Sequence, residues 1–269
     1  MLCGIVLPFF DAPEVASCAV LAEEAGWDGV FLAESVWGVD AWVALTAAAV
    51  RTSTLLVGTM LTPLPRVKPW DLASKVGTLD RLSGGRVRLA VGLGAVHPGW
   101  TAFERDQGRA ERALLLEEGL AVYDGLMRGQ PFSFQGERYQ VEPTDFYLPP
   151  PPVQRPRVPV WVVGAHPSEV SLRRAAKWDG LLPNIVGDGE ARGPADPDEL
   201  AAVVGRVRAL REAEGLPWDG YDVVAEGVGP VDLDAWAQAG ATWWVESDWE
   251  STPEAVRDRI SAGPPRRSA

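Results

Sequence analysis

Short apolar runs alternate with amphipathic stretches from one end of the chain to the other. Residues 2–7 form an unbroken apolar run. Residues 13–25 then set Val15, Cys18, Ala19, Ala22 and Ala25 at helical spacing before Gly26, which suits the left-handed end of a helix. The same reading predicts strands at 30–33, 54–61, 87–91, 160–163, 180–182, 221–225 and 242–245. Helices are predicted at 41–50, 70–82, 109–127, 168–177, 197–214, 231–239 and 253–261. The strands are continuous apolar runs rather than alternating ones, as strands of a parallel sheet covered on both faces should be. Eight strands, each followed by a helix, predict an α/β fold: a single (β/α)8 TIM barrel spanning 1–269.

One segment interrupts the rhythm. Between the fourth and fifth strands lie about sixty residues, far more than one crossover requires. They hold the helix at 109–127, a hairpin pattern at 132–139 and a proline-rich strap at 149–159. Proline cannot donate to a central ladder, so the strap is extended. The stretch at 97–158 is therefore expected to be an insertion over the top of the barrel, a lid for a substrate. A weak repeat accompanies the alternation. Trp27-Asp28-Gly29, Trp178-Asp179-Gly180 and Trp218-Asp219-Gly220 each precede a strand, with Asp-Gly supplying a turn and Trp expected to cover the bottom of the barrel core.

Composition narrows the functional classes. The chain has 269 residues, 46% hydrophobic, with 25 Lys plus Arg against 37 Asp plus Glu. The resulting charge of −12 argues against nonspecific binding to nucleic acid or an anionic membrane. Two cysteines, Cys3 and Cys18, make no disulfide framework, and no metal-ligand spacing appears; both read as reduced core residues. No basic stretch precedes the first apolar run, which breaks at Pro8 and reads as a strand, not a signal peptide. No apolar run approaches the roughly 20 residues of a bilayer span, so a cytoplasmic setting is expected.

Barrel enzymes carry their chemistry just beyond the strand ends. That rule selects Asp11, Glu34, Ser35, Trp37, Met60, Leu61, Thr62, Gly92, Gly94, His97, Gly164, Ala165, His166, Asn184, Glu226, Glu246 and Asp248. No Gly-x-Ser-x-Gly elbow is present, and Lys68, Lys75 and Lys177 fall on helices, which argues against serine or Schiff-base chemistry. Glycines and apolar residues dominate this face. Such a pocket suits a small-molecule substrate and a flat aromatic cofactor that brings its own chemistry. Gly92-Leu93-Gly94-Ala95 permits close approach of backbone to a ligand, and Gly164-Ala165 precedes a helix start near Ser168 whose free N–H groups suit a phosphate.

Several ordered motifs resemble the luciferase-like monooxygenases, a family that includes bacterial luciferase, alkanesulfonate monooxygenase and deazaflavin-dependent reductases. They run from Cys3-Gly4-Ile5-Val6-Leu7-Pro8 through Ala22-Glu23-Glu24-Ala25-Gly26-Trp27-Asp28-Gly29-Val30, Ala33-Glu34 and Leu55-Leu56-Val57-Gly58-Thr59. The most specific is Leu79-Asp80-Arg81-Leu82-Ser83-Gly84-Gly85-Arg86, followed by Leu89, Gly92 and Gly94. Pro159-Val160-Trp161-Val162-Val163-Gly164 and Ala175-Ala176-Lys177-Trp178-Asp179-Gly180 complete the set. The last third of the chain matches only in rhythm. The resemblance implies FMN, or alternatively coenzyme F420, lying across the strand ends. Thr59, Met60 and Leu61 would support its ring at a non-proline cis peptide, and Gly92, Gly94, Ala95, Gly164 and Ala165 would approach its tail and phosphate. It further implies a homodimer and, for reduced-FMN monooxygenase chemistry, a separate flavin reductase. F420-dependent hydride transfer is the alternative, and a non-catalytic flavin-binding barrel the rival from another class. Two positions depart from the family pattern. Many members carry Glu-His where this chain has Glu34-Ser35, and an acidic residue where it has Ala95-Val96-His97. Proton handling is thereby expected of His97, His166 or Glu34.

Overall fold

The computed structural model describes residues 1–8, 10–145, 149–187, 190–193 and 195–266. Eight parallel strands close on themselves: β1 (Leu2–Val6), β2 (Gly29–Leu32), β3 (Leu56–Pro63), β4 (Val87–Gly92), β7 (Val160–His166), β8 (Gly180–Gly187), β10 (Asp222–Gly227) and β11 (Trp243–Glu246). The ring closes where β10 pairs with β8 at Asp222↔Gly180 and Val223↔Leu181. Helices α1 (Ala12–Ala25), α2 (Ala41–Ala49), α3 (Pro69–Ser83), α5 (Arg109–Arg128), α6 (Glu169–Ala176), α7 (Pro197–Ala213), α8 (Leu233–Gln238) and α9 (Pro253–Ser261) follow the barrel strands, with a single turn, α4 (Pro98–Thr101), ahead of α5. The expected (β/α)8 barrel is therefore the fold. Several helix starts follow directly from capping chemistry. Asp11 and Asp196 each accept from the third helical amide while Glu14 and Glu199 bond back, and proline occupies the first turn of both helices.

Two apolar clusters divide the core. The larger fills the space between sheet and helices. The smaller fills the barrel with Val6, Phe31, Met60, Ala90, Trp161, Leu182, Val224, Trp243 and Val245. Phe31, Trp161 and Trp243 pack as an aromatic trio, with ring centroids 5.2–5.9 Å apart. Trp161 Nε1 donates to Asp222 Oδ2 at 2.9 Å, so the buried indole keeps a partner. The Trp-Asp-Gly tryptophans do not take this place. Trp27, Trp178 and Trp218 pack in the outer layer. The aspartates explain part of the repeat: Asp28 accepts from Cys3 N (2.7 Å) and Asp179 from Val160 N (2.8 Å), each pinning the start of a neighbouring strand.

The family-like motif at 79–86 is architectural. Arg86, at the foot of β4, donates to Ser83 O, Thr52 Oγ1, Leu55 O, Ala49 O and Thr52 O, at 2.6–3.1 Å. Asp80 is fully buried and accepts from Val153 N, Gln154 N and Gln154 Nε2. These bonds place the proline-rich strap beneath the barrel, at the N-terminal end of β4, rather than over its top. The hairpin β5 (Phe132–Gln135) and β6 (Gln140–Thr144) sits against the flank of α5, where Glu118 accepts from the amides of Glu137, Arg138 and Tyr139. Of the predicted insertion, the first part, through Leu116 on α5, reaches the top face. A further departure lies on that face. β8 runs on beyond the predicted 182 and folds back through an antiparallel pairing with β9 (Glu190–Gly193), an element the sequence reading lacked. Among the described residues, no helix is long and apolar enough to cross a membrane.

Candidate active site

A cavity of about 760 Å³ opens over the C-terminal ends of the strands. Its apolar wall comes from Met60 and Leu61 on β3, Leu93 after β4, Val163 on β7, Leu182 on β8 and Val224 on β10. Three arginines gather on the side between β4 and β7: Arg109 and Arg112 on α5, and Arg174 on α6. Arg174 bonds Glu117 Oε1 through Nε (3.0 Å) and Nη2 (2.8 Å). Arg112 holds the glycine loop, donating to Gly94 O at 3.0 Å and Leu93 O at 3.3 Å, while its Nε lies 3.0 Å from Asp106 Oδ1. Arg109 is exposed to the cavity mouth. Arg112 and Arg174 each face one carboxylate and Arg109 none among the described residues, so this side of the chamber has one cation in excess of its paired carboxylates.

A second cavity, about 480 Å³, adjoins the first and shares Met60, Leu61, Gly94, Ala95 and Trp249 with it. Trp37, Trp100, Phe103 and Trp249 are its aromatic lining residues. Trp100 is buried between the guanidinium groups of Arg66 (4.9 Å) and Arg112 (5.6 Å) and braces the loop after β4. Gly94 there has φ +75°, and a Cβ would fall 2.6 Å from the Trp100 ring and 2.8 Å from Pro63 Cβ. Glycine is required both by the turn and by the indole behind it.

The sequence-selected residues divide into those at the cavities and those behind them. Met60, Leu61, Gly92, Gly94, Ala95 and Ala165 line the larger cavity, and the Met60–Leu61 peptide is cis. Thr59 is fully buried one residue back, within hydrogen-bonding distance of Ala90 O (3.3 Å) and Thr62 Oγ1 (3.0 Å). Gly164 faces away from the cavity. A Cβ would collide with Leu181 and come within 3.2 Å of Leu172 on α6, so this glycine lets helix and sheet approach. The expected helix start near Ser168 is present, at Glu169. Ser168 makes no side-chain cap, and Ser171 Oγ instead accepts from Ala165 N at 2.9 Å.

The three residues selected for proton handling do not converge. His97 lies at the second cavity, exposed, with Nδ1 accepting from Gly99 N at 3.1 Å. His166 ends β7 and lines neither cavity. Glu34 also lines the second cavity, but its carboxylate is engaged: Oε2 accepts from Trp42 Nε1 (3.2 Å) and Thr62 Oγ1 (2.6 Å). Its backbone N–H reaches Leu61 O at 3.3 Å. Glu34 thus braces the Met60–Leu61 corner from outside. The acidic group that does face the large cavity is Glu226, the sole carboxylate of its lining among the described residues. Burial alone pushes its carboxyl above the usual carboxylate range.

Arg109, Arg112, Arg174 and Ser171 escaped selection because they lie on helices, outside a rule that samples only strand ends, whereas Trp249, one residue past Asp248, lay within its reach and was passed over. Glu226 was within that rule but not chosen. Strand alternation could have singled it out, because Val224 packs inside the barrel and the residue two positions on shares its face.

The closed eight-stranded barrel is an architecture shared with known proteins. The sequence profile of the luciferase-like monooxygenases matches residues 4–268, and the chain belongs to that family. It is 30% identical over 172 residues to an F420-dependent glucose-6-phosphate dehydrogenase of Microbacterium testaceum, a match covering 61% of this chain and 50% of that one. The chain spans about half the length of the curated relatives it matches first. Its fold superposes on the coenzyme F420-dependent tetrahydromethanopterin reductase of Methanopyrus kandleri with a TM-score of 0.75 at 17% identity, covering 97% of both chains. Monooxygenase RslO1 of Streptomyces bottropensis gives 0.70 at 21% identity, covering 97% of this chain and 79% of that one.

Proposed function

We propose that the protein is an oxidoreductase that holds a phosphorylated flavin-type cofactor across the strand ends, and that this cofactor is the deazaflavin F420, used for hydride transfer. The observation carrying this reading is the pairing of an apolar chamber with an arginine-lined side. Met60, Leu61, Val163 and Leu182 fit the faces of a planar heteroaromatic ring, and Arg109, Arg174 and Ser171 fit an anionic tail. The Gly92–Ala95 loop, tied down by Arg112, would carry backbone close to the junction of ring and tail. When bound, the cofactor supplies a carbon that accepts or donates hydride. Among the relatives, the F420-dependent glucose-6-phosphate dehydrogenase, 30% identical over 172 residues, and the F420-dependent tetrahydromethanopterin reductase, at a TM-score of 0.75, support the deazaflavin.

The protein's own part is to exclude water, hold ring and substrate in register, and manage the proton that accompanies hydride transfer. Calorimetry should give one F420 site per chain, and Arg109→Ala should weaken it by about tenfold or more, the worth of a charge-assisted hydrogen bond. Absence of binding by both F420 and FMN, oxidised or reduced, refutes the cofactor reading.

Reduced FMN with O₂, supplied by a separate reductase, is the second reading. It is favoured by the family match and by the aromatic second cavity, which suits an apolar substrate. Oxygen consumption driven by reduced FMN, with no hydride transfer to F420, would select it. Turnover of either kind separates both from a non-catalytic flavin-binding barrel.

A further inference from the structure

Proton handling in this barrel needs a group that faces the reacting chamber, and the three residues expected for it stand elsewhere. Glu226 meets the geometric requirement. It lies two residues beyond Val224 on β10, in the column that fills the barrel interior, and its side chain joins Val224, Leu182, Met60, Asn184 and Trp249 around the cavity. Among the described residues, no hydrogen bond or ion pair engages its carboxyl.

Its surroundings leave it electrostatically alone. Residues 180–187 of β8 carry no titratable side chain. On β11, Glu246 is paired with Arg259 (Nε to Oε1, 2.6 Å), and beyond it Asp248 accepts from Glu250 N and Ser251 Oγ. Asp222, at the other end of β10, is bonded to Trp161 and Thr242. Arg112 is tied to Gly94 O and Arg174 to Glu117, and Arg109 stands at the exposed mouth of the chamber. Consistent with this, desolvation is the one cause of the shift at Glu226. A carboxyl so placed changes protonation state without a fixed counter-ion to oppose it, as a proton relay must.

We propose that Glu226 is the catalytic acid–base of this site and that its substrate is a neutral alcohol or the corresponding carbonyl compound. The inference rests on the hydride-transfer reading above. The atoms balance as follows. In oxidation, the substrate C–H bond breaks and its electron pair leaves with hydrogen for the deazaflavin-type acceptor. The O–H proton passes to the Glu226 carboxylate as the C=O bond forms. In reduction, the protonated carboxyl returns that proton to the carbonyl oxygen. Neutrality of the substrate follows from the same surroundings. The wall around Glu226 is apolar apart from the Asn184 amide, so a charged reacting group would be desolvated there without a partner.

The experiment uses the full chain loaded with oxidised F420 and a panel of 2-propanol, cyclohexanol and benzyl alcohol, comparing wild type with E226Q, E226D and H97N. F420 affinity is measured first by calorimetry. In E226Q it should stay within about threefold of wild type, because the carboxyl serves the substrate rather than the cofactor. Turnover should fall by about 10²–10⁴-fold in E226Q. The acid limb of the wild-type pH profile, lying above the ordinary carboxylate range, should vanish in E226Q, persist in E226D at reduced rate, and persist in H97N. Carboxyl ¹³C signals of the cofactor-free protein should show one glutamate titrating above the ordinary range and lost in E226Q. If F420 binds while E226Q keeps both its rate and its acid limb, Glu226 is not the acid–base and this inference alone falls. If no alcohol in the panel is oxidised by the F420-loaded wild type, the substrate class is overturned. If F420 does not bind at all, the hydride-transfer reading fails first and takes the inference with it.

Discussion

At the scale of single residues, Glu226 and Glu34 show how two carboxylates on one face acquire different duties. Glu34 Oε2 accepts from an indole N–H and a threonine hydroxyl, so the residue holds geometry. Glu226 has an apolar wall and a raised pKa, so at neutral pH its ionised form is less favourable folded than unfolded. The sign follows from linkage. A carboxyl raised on folding destabilises once it ionises, and the penalty is absent below the ordinary glutamate range, where both states are protonated. E226Q should therefore melt at a higher temperature than wild type at neutral pH. The difference should shrink towards zero as pH falls below the ordinary range. Calorimetric melting across that window checks it, and a variant that is less stable at neutral pH would contradict the assigned environment.

At the scale of elements, the barrel was legible because its strands are buried on both faces and so read as unbroken apolar runs between capped helices. Where an element meets a boundary between solvent and cavity, that signal fades. The upper half of β8, Pro183 to Gly187, carries Pro, Asn and Gly, and its pairing with β9 leaves no periodic trace. The strap and hairpin were recognisable as extended segments, but the side of the barrel they occupy depends on contacts far apart in sequence, such as Asp80 with Gln154. The glycines were visible as glycines while the surfaces they face were not. Gly164 therefore answers to helix packing, and Gly164→Ala should cost about 1–3 kcal/mol by overpacking Leu181 and Leu172. Cofactor affinity of the folded variant should be little changed. Arg86 gives a parallel case within the most family-like motif. Lysine there keeps the charge but loses the planar fork that serves five acceptors, so Arg86→Lys should lower stability by about 2–3 kcal/mol. Urea titration with an unchanged slope would register that loss.

At the scale of the whole molecule, the ring is not equally joined around its circumference. β7 and β8 share six register pairs, from Trp161↔Gly180 to His166↔Ile185, whereas β8 and β10 share two, both at the lower end. Above Leu181 and Val223 the two strands part, and β8 turns its upper segment towards β9. Asn184 and Glu226 flank the divide. The barrel is thus a split collar whose ladder has a gap beside Glu226. Amide hydrogens facing that gap should exchange with solvent faster than those on the β7–β8 side at the same height, and a bound ligand should slow them selectively. A ligand that bridged Asn184 and Glu226 would then act as a clasp, joining the two strands where their own backbone ladder has stopped.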